Sequence, residues 1–217
     1  MKEIKAALFD LDGVVFDTEP QYSVFWGKQM RRYFPDKEGM ENVIKGQTLT
    51  QIMGDFFADN AYAQIKIVEE LNVFEREMYF NYVDGFCSFV EDLRTHGIKT
   101  ALVTSSNRMK MESVFRHRSE IRDYFDQILT AESFKESKPS PECYLTGAAM
   151  LGCNPEDCMG FEDSFNGLLS VQRAGMFVVG LSTTNSEDAI LPYCNLVIHN
   201  YLSMDYETLV NAISWSE

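Results

Sequence analysis

This chain is short of positive charge. Its 217 residues carry 19 Lys and Arg against 33 Asp and Glu, a formal net charge of −14. Nucleic-acid backbones are held largely by Lys and Arg, so no nucleic-acid partner is expected. A small phosphate compound stays possible, because a few placed cations and a metal can hold one. No apolar run is long enough to span a bilayer, and Met1-Lys2-Glu3-Ile4-Lys5 enters the first apolar stretch without a signal-peptide pattern. A cytoplasmic location and no membrane partner are expected. The cysteines are few and odd in number, five in all: Cys87, Cys143, Cys153, Cys158 and Cys194. Their scatter favours reduced, packed thiols over a disulfide framework. Cys153 and Cys158 share a loop, but no His or second Cys pair completes a zinc pattern. Internal repeats and low-complexity tracts are also missing.

What is present is an ordinary globular composition, 45% hydrophobic and 24% charged. The length suits one domain, or one core with an inserted subdomain, and a monomer is the default expectation. The stretch from Ala7 to Asp17, ALFDLDGVVFD, is the most telling one. An apolar run ends in two carboxylates one residue apart and then a glycine. Like charges this close shift each other's pKa unless a cation sits between them. The stretch therefore reads as a parallel strand delivering Asp10 and Asp12 to the carboxyl edge of a sheet, where ligands bind in open α/β folds. A strand followed by an acidic Asp-Gly turn is the plainer alternative.

From Thr18 to about Asp84 strand-like alternation fades. Tyr22, Phe25, Trp26, Met30 and Tyr33 recur at helical spacing until Pro35 breaks the pattern. Ile52 to Phe57, Ala61 to Leu71 and Val73 to Val83 suggest three further helices, their aromatic stripes serving as helix-helix core. Beyond Asp84, apolar strand candidates alternate with helical segments. The strands are Lys99–Val103, one within Tyr124–Leu129, Cys158–Phe161, Met176–Leu181 and Asn195–Ile198. The helices run over Phe86–Leu93, Met109–His117, Pro141–Leu151, Phe165–Ala174 and Tyr206–Ile213. This order predicts an α/β fold, a Rossmann-like parallel sheet with helices on both faces. The expected division is a core of residues 1–17 and 85–217, with an α-helical cap subdomain, residues 18–84, inserted after the first strand. Residues Val14 to Glu19 are then the expected hinge.

Four stretches follow a strand candidate or an adjacent loop and offer groups suited to phosphate or metal. They are Asp10/Asp12, Thr104/Ser105, Lys138 within Ser137-Lys138-Pro139-Ser140-Pro141, and Glu162/Asp163. Each has a plainer reading taken singly, as a helix cap or a solvated lysine. In a parallel sheet, however, the carboxyl ends of neighbouring strands share one edge, so all four can converge.

These motifs, in this order over essentially the whole chain, resemble those of the haloacid dehalogenase-like superfamily. The helical insert is similar to that family's small α-helical cap, in the subgroup that holds small-molecule phosphatases and β-phosphoglucomutase. The resemblance implies Asp10 as a nucleophile forming an aspartyl phosphate and Asp12 as the proton-transfer group. It implies Mg²⁺ as cofactor, held by Asp10, the main-chain carbonyl of Asp12 and Asp163, with Glu162 as a helper. Thr104 and the Ser105 amide would hold phosphoryl oxygens, and Lys138 would neutralise charge on the nucleophile and the transferring group. Glu19 and Lys45 are candidate substrate contacts.

The presence of Asp12 points to phosphoryl transfer rather than carbon-halogen cleavage, since the dehalogenases lack this acid/base partner. β-Phosphoglucomutase-like members carry a His shortly after the first motif and a cap Arg for a second phosphate. Here Tyr22 and Leu49 occupy those positions, and residues 18–84 contain no His. Leucine cannot donate a hydrogen bond to a phosphate. The expectation is therefore an Mg²⁺-dependent phosphatase for a small phosphorylated metabolite, such as a sugar phosphate. A hexose phosphomutase, a pyrophosphatase and a non-catalytic phospho-ligand-binding protein are the alternatives.

Overall fold

The computed structural model describes residues 4–214, so Met1 to Glu3 of the expected N-terminal lead-in lie outside the described residues. Six strands form one sheet: β1 (Ala6–Phe9), β2 (Lys99–Val103), β3 (Gln127–Leu129), β4 (Cys158–Glu162), β5 (Phe177–Leu181) and β6 (Leu196–Ile198). The helices are α1 (Glu19–Tyr33), α2 (Met40–Val43), α3 (Leu49–Phe57), α4 (Ala61–Glu77), α5 (Phe86–Thr95), α6 (Arg108–His117), α7 (Glu142–Leu151), α8 (Phe165–Arg173), α9 (Glu187–Ile190) and α10 (Tyr206–Ser214).

Every strand pairing is parallel, and the order across the sheet is β3-β2-β1-β4-β5-β6. The apolar runs explain why. A parallel strand is covered on both faces, so it reads as continuous apolar residues rather than as alternation. Along β1, Ala7 and Phe9 pack with α5, α6 and α10, whereas Ala6 and Leu8 pack with α7 and α8. The chain leaves β1 toward β2 on one side and returns to β4 on the other. The β1/β4 boundary is thus a topological switch point, where a crevice opens at the carboxyl ends of the strands.

A third apolar cluster lies within the segment after β1. Phe25, Trp26 and Met30 of α1 meet Ile52 and Phe57 of α3, and Ala63, Ile67 and Leu71 of α4. The two helices expected over Ala61–Leu71 and Val73–Val83 are one helix, α4, which ends at Glu77. Nothing between Leu71 and Val73 breaks a helix, whereas the residues after Glu77 have a better partner than their own backbone. Met78 and Phe80 are buried while Tyr79 is 75% exposed, the alternation of an extended segment. That segment pairs with the chain leaving β1: Asp17 N donates to Asn81 O (2.8 Å) and Val83 N to Val15 O (3.0 Å).

Val14, Val15 and Phe16 are completely buried among the sheet-face residues. Three residues of the expected Val14–Glu19 hinge are therefore held by the core through their apolar side chains. All five cysteines are free thiols, Cys143 and Cys158 fully buried. Among the described residues no helix is long and apolar enough to cross a membrane.

Candidate active site

β1 delivers Asp10 to the switch point, and the Asp10 amide still pairs with Phe161 O of β4 (3.0 Å). The chain then turns tightly, with Val15 N and Phe16 N both donating to Leu11 O at 2.9 Å. Gly13 makes this turn possible. Its φ is +74°, and a Cβ there would lie 2.0 Å from Asp163 Oδ2. Only glycine gives both the left-handed backbone and the close approach to β4.

Lys138 reaches in from the loop between β3 and α7. Its ammonium lies 2.5 Å from Asp10 Oδ1 and 2.5 Å from Glu162 Oε1, and donates to Val103 O at 3.1 Å. The side chain is 5% exposed. Burial opposes its charge, but the Asp10 and Glu162 carboxylates outweigh burial and hold its pKa above the usual lysine value. Glu162 is fully buried beneath the crevice and also accepts from Tyr144 OH (2.7 Å). Its carboxylate is thus taken up by Lys138 and Tyr144.

Asp163 follows β4 directly and is held from the loop after β5. Thr184 Oγ1 donates to its Oδ2, and Asn185 Nδ2 donates to its main-chain oxygen at 2.9 Å. Asp10, Glu162 and Asp163 each present a carboxylate oxygen within 4.8 Å of the others. Burial, partly offset by Lys138 and added to by Glu162 and Asp12, raises Asp10 to about 7. Burial, Glu162 and Asp10 raise Asp163 well above its ordinary value. Three clustered carboxylates, with one ammonium paired to Asp10 and Glu162, leave negative charge unanswered. A hard divalent cation with oxygen ligands answers it, so the donor set fits Mg²⁺.

Thr104 closes β2 and is buried, its hydroxyl accepting from Ser106 N (3.0 Å). Ser105 is exposed beside it, and Asn107 caps α6 by accepting from Lys110 N (2.9 Å). Amides at this helix start favour an anion. Asp12 stands next to Asp10 with its side chain turned elsewhere: Oδ1 accepts from Thr18 Oγ1 (2.7 Å), and Oδ2 from Ser106 Oγ (3.3 Å) and from Lys110.

One cavity of about 730 Å³ joins these groups to the helical segment. Asp10, Asp12, Thr104, Ser105, Lys138 and Asp163 line it from the sheet side, and Glu19 and Lys45 from the helical side. Glu162 is the one expected site residue that lies under the cavity rather than on its wall. Leu49 and Tyr22 also line the cavity, and the Tyr22 hydroxyl donates to Glu75 (2.8 Å). Burial, tempered by Lys45, raises Glu19 to about 7. The helical segment is clasped to the start of α8: Asn166 Nδ2 donates to Gln51 Oε1 (2.9 Å) and Gly46 O (3.3 Å).

Sequence reasoning missed Thr18, Ser106, Lys110, Glu75, Tyr144, Asn166 and Thr184. One signal was available for Lys110, a cation in the first turn of a capped helix, where the helix dipole disfavours it. Thr18 lies only six residues from Asp12 but carries no signal of its own, and for the others the partner lies well away in the sequence.

A family model described as haloacid dehalogenase-like hydrolase matches residues 4–175. Hexitol phosphatase A of Escherichia coli is similar, 30% identical over 200 residues, covering 90% of this chain and 91% of that protein. Validoxylamine A 7'-phosphate phosphatase of Streptomyces hygroscopicus is 29% identical over 194 residues, covering 86% and 89%. Among solved structures, the β-phosphoglucomutase of Clostridium difficile superposes with a TM-score of 0.79 at 27% identity, covering 98% of both chains.

Proposed function

The chain belongs to the haloacid dehalogenase-like hydrolases, in the subgroup with a small helical cap, and from that premise we propose that it is an Mg²⁺-dependent phosphatase for a small phosphomonoester such as a sugar or hexitol phosphate. The observation that carries this reading is the meeting of Asp10, Lys138, Thr104 and Asp163 at one cavity with Asp12 beside them.

Asp10 attacks phosphorus, an Asp10–phosphoryl bond forms, and the bond to the leaving alcohol breaks. Asp12 gives that alcohol its proton, then takes one from the water that displaces Asp10 from phosphorus. Lys138 neutralises charge on Asp10 and the moving phosphoryl group, while Thr104 and the Ser105 amide donate to its oxygens. Asp10, Asp163 and the Asp12 carbonyl hold the cation, which supplies charge neutralisation when bound. The Glu162 side chain, engaged by Lys138 and Tyr144, supports the lysine in preference to ligating. Glu19 and Lys45 contact the leaving group.

A phosphomutase must grip a phosphate at each end of its substrate. Leu49 offers no donor for one, and the Tyr22 hydroxyl is spent on Glu75. Hydrolysis is therefore the favoured outcome, carried out by a cytoplasmic monomer whose free thiols suit a reducing compartment.

The test is a phosphate-release screen with Mg²⁺ over hexose, hexitol and pentose phosphates and pyrophosphate. Release from one group of phosphomonoesters, lost in Asp10→Asn, is the expected result. Isomerised hexose phosphate without phosphate release favours the mutase, and pyrophosphate as the sole substrate favours a pyrophosphatase. No turnover of any compound, together with phosphate binding that Asp10→Asn leaves intact, points to the non-catalytic binder.

A further inference from the structure

Lys110 is 3% exposed, buried between the sheet side of the cavity and the helical cap. It sits in the first turn of α6, where neither solvent nor the helix dipole favours a cation. A buried ammonium persists only with anionic or aromatic partners. Lys110 has both: it donates to Asp12 Oδ2 and stands 4.9 Å from the centre of the Tyr22 ring. Tyr22 belongs to α1 of the cap and is tied by its hydroxyl to Glu75 of α4, the other carboxylate whose charge is felt by Lys110. The second Asp12 oxygen is held by Thr18, at the root of α1. Each oxygen of Asp12 is thus fastened to an element that touches the cap.

We infer that Lys110 is a positioning residue for phosphoryl transfer, fixing the direction of the Asp12 carboxylate and linking that direction to the cap through Tyr22. The inference rests on the proton-transfer role proposed for Asp12. A misplacement of about 1 Å in a reacting group costs on the order of a hundredfold in rate. In kcat/KM, which reports the steps up to release of the alcohol, the position of Asp12 matters only when that leaving group needs a proton.

The test compares kcat/KM for benzyl phosphate, a poor leaving group, with that for p-nitrophenyl phosphate, a good one. Lys110→Met is expected to lower the benzyl value roughly 30- to 100-fold and the p-nitrophenyl value less than about threefold. In an Asp12→Asn background the same substitution should change the ratio no further, since the two residues act as one unit. Equal losses on both substrates, no loss on either, or additive losses in the double variant overturn the inference. Should Lys110→Met fail to fold, Tyr22→Leu removes the ring that seats Lys110. It is expected to shift the ratio in the same direction, and an unchanged ratio overturns the link to the cap. If Asp12→Asn alone shows no leaving-group dependence, the proton-transfer role itself fails. If it shows that dependence and Lys110→Met does not, only the role of Lys110 fails.

Discussion

The Lys138 ammonium lies 2.5 Å from Asp10 Oδ1 and 2.5 Å from Glu162 Oε1, one buried cation between two carboxylates that are 152 residues apart in the chain. Removing it leaves two buried charges without an answer. Lys138→Met is expected to cost roughly 3–5 kcal/mol of stability in metal-free protein, the usual cost of stripping one partner from a buried pair. Denaturant unfolding with and without Mg²⁺ measures this. Activity should fall at least about a hundredfold, since electrostatic stabilisation of a transferring group is commonly worth that much. A variant with unchanged unfolding midpoint and turnover contradicts the assignment.

Metal and pH are expected to act on stability together. Asp10 is raised to about 7 and Asp163 well above its usual value. Between about pH 4 and 7 the metal-free native state therefore binds protons that the unfolded chain has released, and stability falls as pH rises through that window. Above the raised value Asp10 is ionised in both states and its contribution levels off. Mg²⁺ binds the ionised form, so it should raise the melting temperature more at pH 8 than at pH 5.5. EDTA should abolish turnover and restore the metal-free profile. A melting temperature indifferent to Mg²⁺ at pH 8 counts against the metal site.

Asp12→Asn keeps the shape of the side chain but cannot give up a proton. It should slow an alkyl phosphomonoester by roughly a hundredfold or more, the usual worth of general acid catalysis, and spare kcat/KM for p-nitrophenyl phosphate. Steady-state kinetics on the two substrates decides.

The clasp between cap and the start of α8 invites a milder change. Asn166→Ala removes donors to Gln51 and to Gly46 O. Gly46, at φ +72°, approaches Ser164 so closely that a Cβ would lie 3.1 Å from the Ser164 Cβ. Losing about 1 kcal/mol of cap contact should raise KM roughly fivefold while leaving the melting temperature nearly unchanged. A large drop in stability with KM intact would assign Asn166 to folding instead.

Much of this protein could be read from its residues because local patterns were enough. Continuous apolar runs define strands covered on both faces, and the Asp10-Leu11-Asp12-Gly13 turn, Thr104, Lys138 and Asp163 sit where such strands end. Parallel pairing then puts them on one edge. The stretch after α4 was misread as helix because Met78 to Val83 has no breaker of its own, and its extended form depends on pairing with Val15 and Asp17. Glu162, expected as a metal helper, sits under the cavity with its carboxylate on Lys138 and Tyr144, and still presents an oxygen within 4.8 Å of those of Asp10 and Asp163. No local signal marks that arrangement.

The sequence by itself therefore determined the α/β architecture and the motif residues, because these rest on apolar periodicity and on residue type at strand ends. Tertiary structure alone decided the partners: which carboxylate Lys138 serves, that Lys110 and Thr18 hold Asp12, and that Asn166 reaches Gln51. Apart from Thr18 and Asp12, those contacts join residues far apart in the chain. They depend on how helices and loops settle around the switch point, where burial makes each unpaired charge costly enough to select its partner.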